Sequence, residues 1–249
     1  MSNRSVTVVE TIQKDRYKYC LVGTPDVGLA GSIAISYLIQ EQQMTEVGYF
    51  ESDVLPPVMV VHQGNPKPPV RIYSKGDIVA VISEIPIEPH LIPTIARSII
   101  DWVQSKNIEL LISLSGIAVQ NRLDIDVPTV YGVGSTSSVK EEITRIEVEV
   151  FEEGFITGLQ ATLMKECLKK DIQNMILLVQ SHLQYPDPGA AASLITSIAK
   201  LTNLKVDTKK LLAEEDEIRV KMRELMQRTQ HQMQETQKGQ EQEIPLMYV

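Results

Sequence analysis

The sequence predicts an α/β domain in which helices cover a mostly parallel sheet. Over the first two hundred of its 249 residues, short runs rich in Val, Ile and Leu alternate with amphipathic or alanine-rich segments, the order in which strands and covering helices follow one another in α/β proteins. The composition, 43% hydrophobic and 22% charged, is that of a globular chain. The longest apolar runs, 108–114 and 175–179, fall far short of the roughly 20 residues that span a bilayer. The N-terminal MSNRSVTVVE lacks the apolar core of a signal peptide, so the chain is expected in the cytoplasm with no membrane partner.

A core domain is read over 1–207. YKYCLVG (17–23) is a strand, followed by a helix to about Gln42 with Thr24 as N-cap and Pro25 as its first residue, where a missing N–H costs nothing. Strand-like runs at 46–51, 58–62, 70–73 and 77–82, separated by Pro and Gly clusters such as QGNPKPP (63–69), read as a meander or hairpin insertion. Alternation then resumes with a helix near 90–105, strands at 110–114 and 129–133, and a helix from Ser138, where Ser138 and Glu141 fit a capping box. A short extended piece at 147–151, a helix at 157–168 and a buried strand at 175–180 come next. The last helix of the body, 188–201, is capped by Asp187.

Beyond Asp207 an amphipathic helix is expected over 208–235. Leu211, Leu212, Ile218, Met222, Leu225, Met226 and Met233 form one apolar stripe, which fits docking on the helix's own domain or on a sister subunit. From 227 to 243 the chain reads QRTQHQMQETQKGQEQE, with Met233 as its one aliphatic side chain, too little apolar surface to offset the entropy of ordering. A flexible tail is therefore expected over 236–249. It ends in IPLMYV, an apolar hexapeptide with no core to join unless it reaches back. Such an end suits a tethered ligand for another protein: Met247 offers an apolar anchor, Tyr248 a ring with a hydroxyl, and Val249 a free carboxylate able to pair with a lysine.

Several chemistries are disfavoured. The net charge of −8 provides no basic stripe for nucleic acid. Cys20 and Cys167 stand alone and read as buried small hydrophobes, neither a disulfide framework nor a zinc pair. The four histidines lie in unrelated segments, so no metal site, cofactor site or Ser-His-Asp set is read. Ser113 and Ser115 lie outside a G-x-S-x-G elbow. Two glycine-rich loops, GTPDVGLAG from Gly23 to Gly31 and GVGSTSS from Gly132 to Ser138, follow strands and open helices, where backbone N–H groups can hold an anion. Neither carries a P-loop lysine, and close helix packing by Gly28 and Gly31 is the plainer reading of the first.

The blocks GTPDVGLAG, EVGYFES (46–52), PVRIY (69–73), YPDPGAAASLI (185–195) and VDTKKLLAEEDEI (206–218) resemble the archaeal members of the proteasome assembly chaperone family, over roughly 18–217. The resemblance implies a three-layer α/β/α sandwich with a mixed sheet, similar to phosphorylase/hydrolase-like proteins. It also implies a non-enzymatic homo-oligomer that binds the α-subunits of the 20S proteasome core as an assembly chaperone or activator. Met247, Tyr248 and Val249 match the hydrophobic-tyrosine-any motif by which activators dock between α-subunits. Two other readings compete: a phosphorylase- or hydrolase-like enzyme holding an anionic small molecule at the glycine-rich loops, and an oligomeric scaffold whose tail binds itself.

Overall fold

The protein is described by a computed structural model over residues 6–243. Eleven strands are formed: β1 (Thr7–Glu10), β2 (Tyr19–Gly23), β3 (Thr45–Glu51), β4 (Val60–His62), β5 (Asn65–Lys67), β6 (Val70–Lys75), β7 (Ile78–Ser83), β8 (Leu110–Ala118), β9 (Val130–Gly134), β10 (Glu149–Val150) and β11 (Asn174–Ser181). The helices of the body are α1 (Ala30–Glu41), α2 (Ile92–Ser105), α3 (Ser137–Arg145), α4 (Gly158–Lys169) and α5 (Pro188–Thr202).

Nine strands form one mixed sheet in the order β1-β3-β6-β7-β2-β8-β11-β9-β10, and β4 and β5 form a small separate hairpin. The centre, β7-β2-β8-β11, is parallel, with Val22 beside Ser113 and Leu114 beside Leu177. Parallel strands buried on both faces need apolar residues at every position, and β7, β8 and β11 have close to that. Alternation sorts them into two cores. Leu21, Ile112 and Leu177 point into the layer of α1, α3 and α5, while Cys20, Val22 and Leu111 join α2 and α4 on the other face. The result is the three-layer α/β/α sandwich. Cys20 and Cys167 lie in the second core as free, buried thiols, and burial pushes Cys167 up to about 12.

Several local expectations are corrected. The runs at 46–51, 70–73 and 77–82 are no insertion: as β3, β6 and β7 they extend the main sheet, with β1, which the sequence reading left unassigned, along the edge. Thr24 and Pro25 do not start a helix. A 3₁₀ turn at Val27–Leu29 intervenes, Gly28 and Leu29 are left-handed, and α1 begins at Ala30. At α3 the cap is Thr136, whose hydroxyl accepts from Val139 N, so Ser138 lies inside the helix and forms no capping box. Asp187 does cap α5, accepting from Ala190 N at 2.9 Å.

After residue 208 the expected single helix is three: α6 (Lys209–Ala213), α7 (Glu215–Lys221) and α8 (Arg223–Glu243). Glu214 and Met222 form the joints, with backbone near φ −95° and ψ close to zero, outside regular α geometry. Leu211 and Met226 are buried, and Ile218, Met222 and Leu225 pack on the core of α1 and α5, so these five of the seven stripe residues dock on their own domain, while Leu212 is exposed. Helix α8 also continues to Glu243, eight residues past the expected end at 235. Glutamine is a good helix former, which the reading from low apolar content overlooked. Among the described residues no helix is long and apolar enough to cross a membrane.

Candidate functional site

The central strands end in a crevice whose position follows from the winding. Strand β2 leads to α1 on one face and its neighbour β7 leads to α2 on the other, so the loops after them diverge and leave a cleft at their carboxyl ends. The cavity there has a volume of about 460 Å³. Its walls come from the loop after β2, the loop after β7, the end of β8, the segment from Phe151 to Gln160, and α8.

The loop after β2 is shaped by contact, not by helix propensity. Gly28 has φ +63°, and a Cβ there would lie 1.9 Å from Ser181 Oγ, so both conformation and space require glycine. At Gly116, on β8, a Cβ would come within 2.3 Å of the Val27 carbonyl oxygen. The glycines thus let the backbone cross the strand ends at close range, as the packing reading expects.

Asp187 fastens this loop to the one after β11. Its main-chain N–H donates to Gly28 O at 2.8 Å. Its carboxylate, with no exposed surface, receives Arg122 Nε at 2.7 Å and an Arg122 terminal nitrogen at 2.9 Å, together with Ser181 Oγ, His182 N and Ala190 N. A second Arg122 nitrogen donates to Ile125 O. Guanidinium and carboxylate thus form a bidentate pair, with three further donors on the same carboxylate. The PDVGLAG and PDPGAA blocks, far apart in sequence, therefore meet in one node. His182 adjoins it, its pKa lowered chiefly by burial.

Asp26, in the other Pro-Asp pair, has a contrasting environment. Its Oδ2 accepts from Gln160 Nε2 at 3.3 Å, and that nitrogen also donates to Leu114 O at 3.3 Å. Its Oδ1 is buried without a hydrogen-bond partner. Burial pushes the carboxyl up to about 8, against the opposing pull of the Ser115 hydroxyl and the Gly116 backbone. At neutral pH it is mostly protonated.

These facts bear on the anion reading. Among the described residues lining the crevice none is Lys, Arg or His, and the one ionisable group among them is an acid, so they offer the Gly23 to Gly31 loop no positive side chain for a phosphate. Around Gly132 to Ser138 the glycines again serve packing: a Cβ on Gly132 would press on Ile143, and one on Gly134 on Lys140 N. Ser113 is fully buried, and Ser115 lines the crevice with no histidine among the described lining residues. Among the described residues no group of three His, Cys, Asp or Glu side chains could hold a metal. Arg122, Gln160 and the divergent fates of Asp26 and Asp187 were missed from sequence. The repeated Pro-Asp dipeptide after two apolar strands was their available signal. Met247, Tyr248 and Val249 lie outside the described residues.

The fold and the node define a class: an α/β/α body with two Pro-Asp strand-end loops laced together and a helical C-terminal arm. The PAC2 family model matches residues 20–226, and the chain belongs to the PAC2 family. It is 31% identical over 201 residues to an uncharacterized protein of Methanocaldococcus jannaschii, covering 81% of this chain and 82% of that one. The crystal structure of Pyrococcus furiosus PbaA, an archaeal homolog of proteasome-assembly chaperone, matches with a TM-score of 0.85 at 29% identity, over 91% of this chain and 98% of that one. Pyrococcus furiosus PbaB, an archaeal proteasome activator, shares the fold at a TM-score of 0.75 and 20% identity, over 89% of this chain and 99% of that one.

Proposed function

We propose that this protein is a non-enzymatic proteasome-binding chaperone or activator that docks its C-terminal tail between α-subunits of the 20S core. What supports the reading is the match to PbaA over nine-tenths of the chain, together with a terminal Met247-Tyr248-Val249 of the hydrophobic-tyrosine-any type. In this reading the α/β body over 1–207 is a platform, the helices from 208 are an arm, and the segment beyond them is the ligand. A cytoplasmic homo-oligomer would present several tails at once and gain avidity through effective concentration.

The test is binding of the full chain and of Tyr248→Ala to purified archaeal 20S particles, with peptide hydrolysis followed in the same samples. Co-elution of the full chain and its loss in Tyr248→Ala is the expected result, and a rise in hydrolysis assigns activation over assembly. Undiminished binding of Tyr248→Ala would overturn the role of the tail.

A further inference from the structure

We propose that the loops at the carboxyl end of the sheet form a second docking surface, which seats on an apolar, basic surface of the same partner that takes the tail, the α-subunits of the 20S core. The inference rests on the proteasome reading and adds to it a contact made by the body. The three most exposed large apolar side chains among the described residues, Phe155 at 98%, Leu123 at 85% and Val127 at 78%, all lie in loops at this end. Leu183 and Tyr185, in the loop after β11, are exposed at the same end. Single exposed apolar residues are ordinary on a protein surface, but several gathered at one end mark a binding face. Their backbone is fixed. Arg122, directly before Leu123, is buried in its bidentate pair with Asp187 and also donates to Ile125 O, so one guanidinium ties the loop of Leu123 and Val127 to the loop of Tyr185. A loop pinned in this way has little backbone freedom left to lose on binding.

Charge and chain length identify the partner. Asp124 and Asp126 stand between Leu123 and Val127, Glu152 and Glu153 shortly precede Phe155, and all four acids are exposed. No basic residue occurs in 150–158, and the one in 119–129 is the buried Arg122. The complement of such a face is an apolar surface set with Lys or Arg, the chemistry that the Val249 carboxylate also calls for. An anionic lipid surface would repel these acids, and a second copy apposed face to face would set the same acids against one another. Helix α8 crosses this end, with Thr229, Gln232 and Met233 in the crevice wall and Gln230 donating to Leu183 O. From Met233 to Glu243 the helix runs about 15 Å, and the six residues that follow span at most about 20 Å. A partner holding Tyr248 is thereby kept within about 35 Å of the crevice, so body and tail can engage it together and gain through effective concentration.

The test is binding of the full chain to purified archaeal 20S particles by biolayer interferometry, with substitutions confined to exposed side chains and each variant checked by circular dichroism. Asp124→Lys with Asp126→Lys, tail intact, is expected to weaken binding at least about tenfold, mainly through slower association, and to flatten its dependence on salt. Leu123→Ser with Val127→Ser is expected to weaken it at least about fivefold through faster dissociation. Asp15→Lys with Asp77→Lys makes the same change of charge at the opposite end of the sheet, before β2 and β7, and is expected to leave binding within about twofold. Tyr248→Ala, measured alongside, separates the two claims. If Tyr248→Ala loses binding while both loop variants match the native chain, the tail reading stands and the second surface is overturned; if the full chain does not bind the particles, both fall. An equal loss in the Asp15 and Asp77 variant would reduce the effect to net charge and overturn the proposal. So would a changed elution volume of the Leu123 and Val127 variant on size exclusion, which assigns the face to a contact between copies, or native binding to phosphatidylglycerol vesicles that this variant loses, which assigns it to lipid.

Discussion

Replacing Asp187 by alanine removes two things at once. The Arg122 guanidinium, whose side chain is 9% exposed, loses its carboxylate partner, and breaking one side of a buried pair costs about 3–5 kcal/mol because the other charge stays behind. Helix α5 also loses its cap bond to Ala190 N, a further loss of about 1 kcal/mol. The sum, about 4–6 kcal/mol, corresponds to a fall in Tm of about 8–24 °C for a chain of this size. Thermal unfolding by circular dichroism measures it. The charge argument is isolated by Arg122→Met with Asp187→Asn, which leaves a neutral pair able to keep the cap, and is expected to recover at least about half of the loss. A Tm drop below about 3 °C in Asp187→Ala, roughly 1 kcal/mol, would refute the reasoning, as would a double variant no more stable than the single one.

Further expectations follow from neighbouring features. Gly28→Ala is expected to destabilise by more than about 2 kcal/mol, since the new methyl would need to displace Ser181 Oγ while holding a left-handed backbone; urea unfolding would show it, and an unchanged midpoint would contradict the packing described. Asp26 has a folded pKa near 8, above its unfolded value of about 3.9, so the folded protein holds a proton that the unfolded chain releases, and this residue's contribution to stability declines as pH rises from about 4 to 8. Stability of the native chain relative to Asp26→Asn should therefore fall between pH 5 and pH 8, and a constant difference between the two would count against it. The Tyr248→Ala comparison on 20S particles tests the arm and tail as a unit.

What could be read from sequence was what local chemistry decides. Helix α5 and its cap follow from Asp187 and Pro188 standing directly before an alanine-rich run. The cores of β2, β8 and β11 follow from continuous apolar runs. The turn at Val27–Leu29 did not, because Gly28 is left-handed to clear Ser181, a residue more than 150 positions away. The split at Glu214 and Met222 breaks an apolar stripe that is continuous in sequence. Strand order was equally illegible: β3 and β6 look like a local meander, and only pairing with β1 and β7 makes them part of the main sheet. In the candidate site, Asp187 was legible as a helix cap, while Asp26 and the partners of either aspartate went unread. Arg122 reaches Asp187 and not Asp26, a contact between positions 65 residues apart that no periodicity announces.

The bond from Asp187 to Gly28 runs through the main-chain N–H, so it does not depend on the identity of the side chain at 187. Drift at that position would dissolve the ion pair and its specificity while leaving the two loops stitched by backbone alone. Such a joint lets the architecture outlive its own signature. A search keyed to the Pro-Asp motif would pass over any chain that kept the seam and lost the letters.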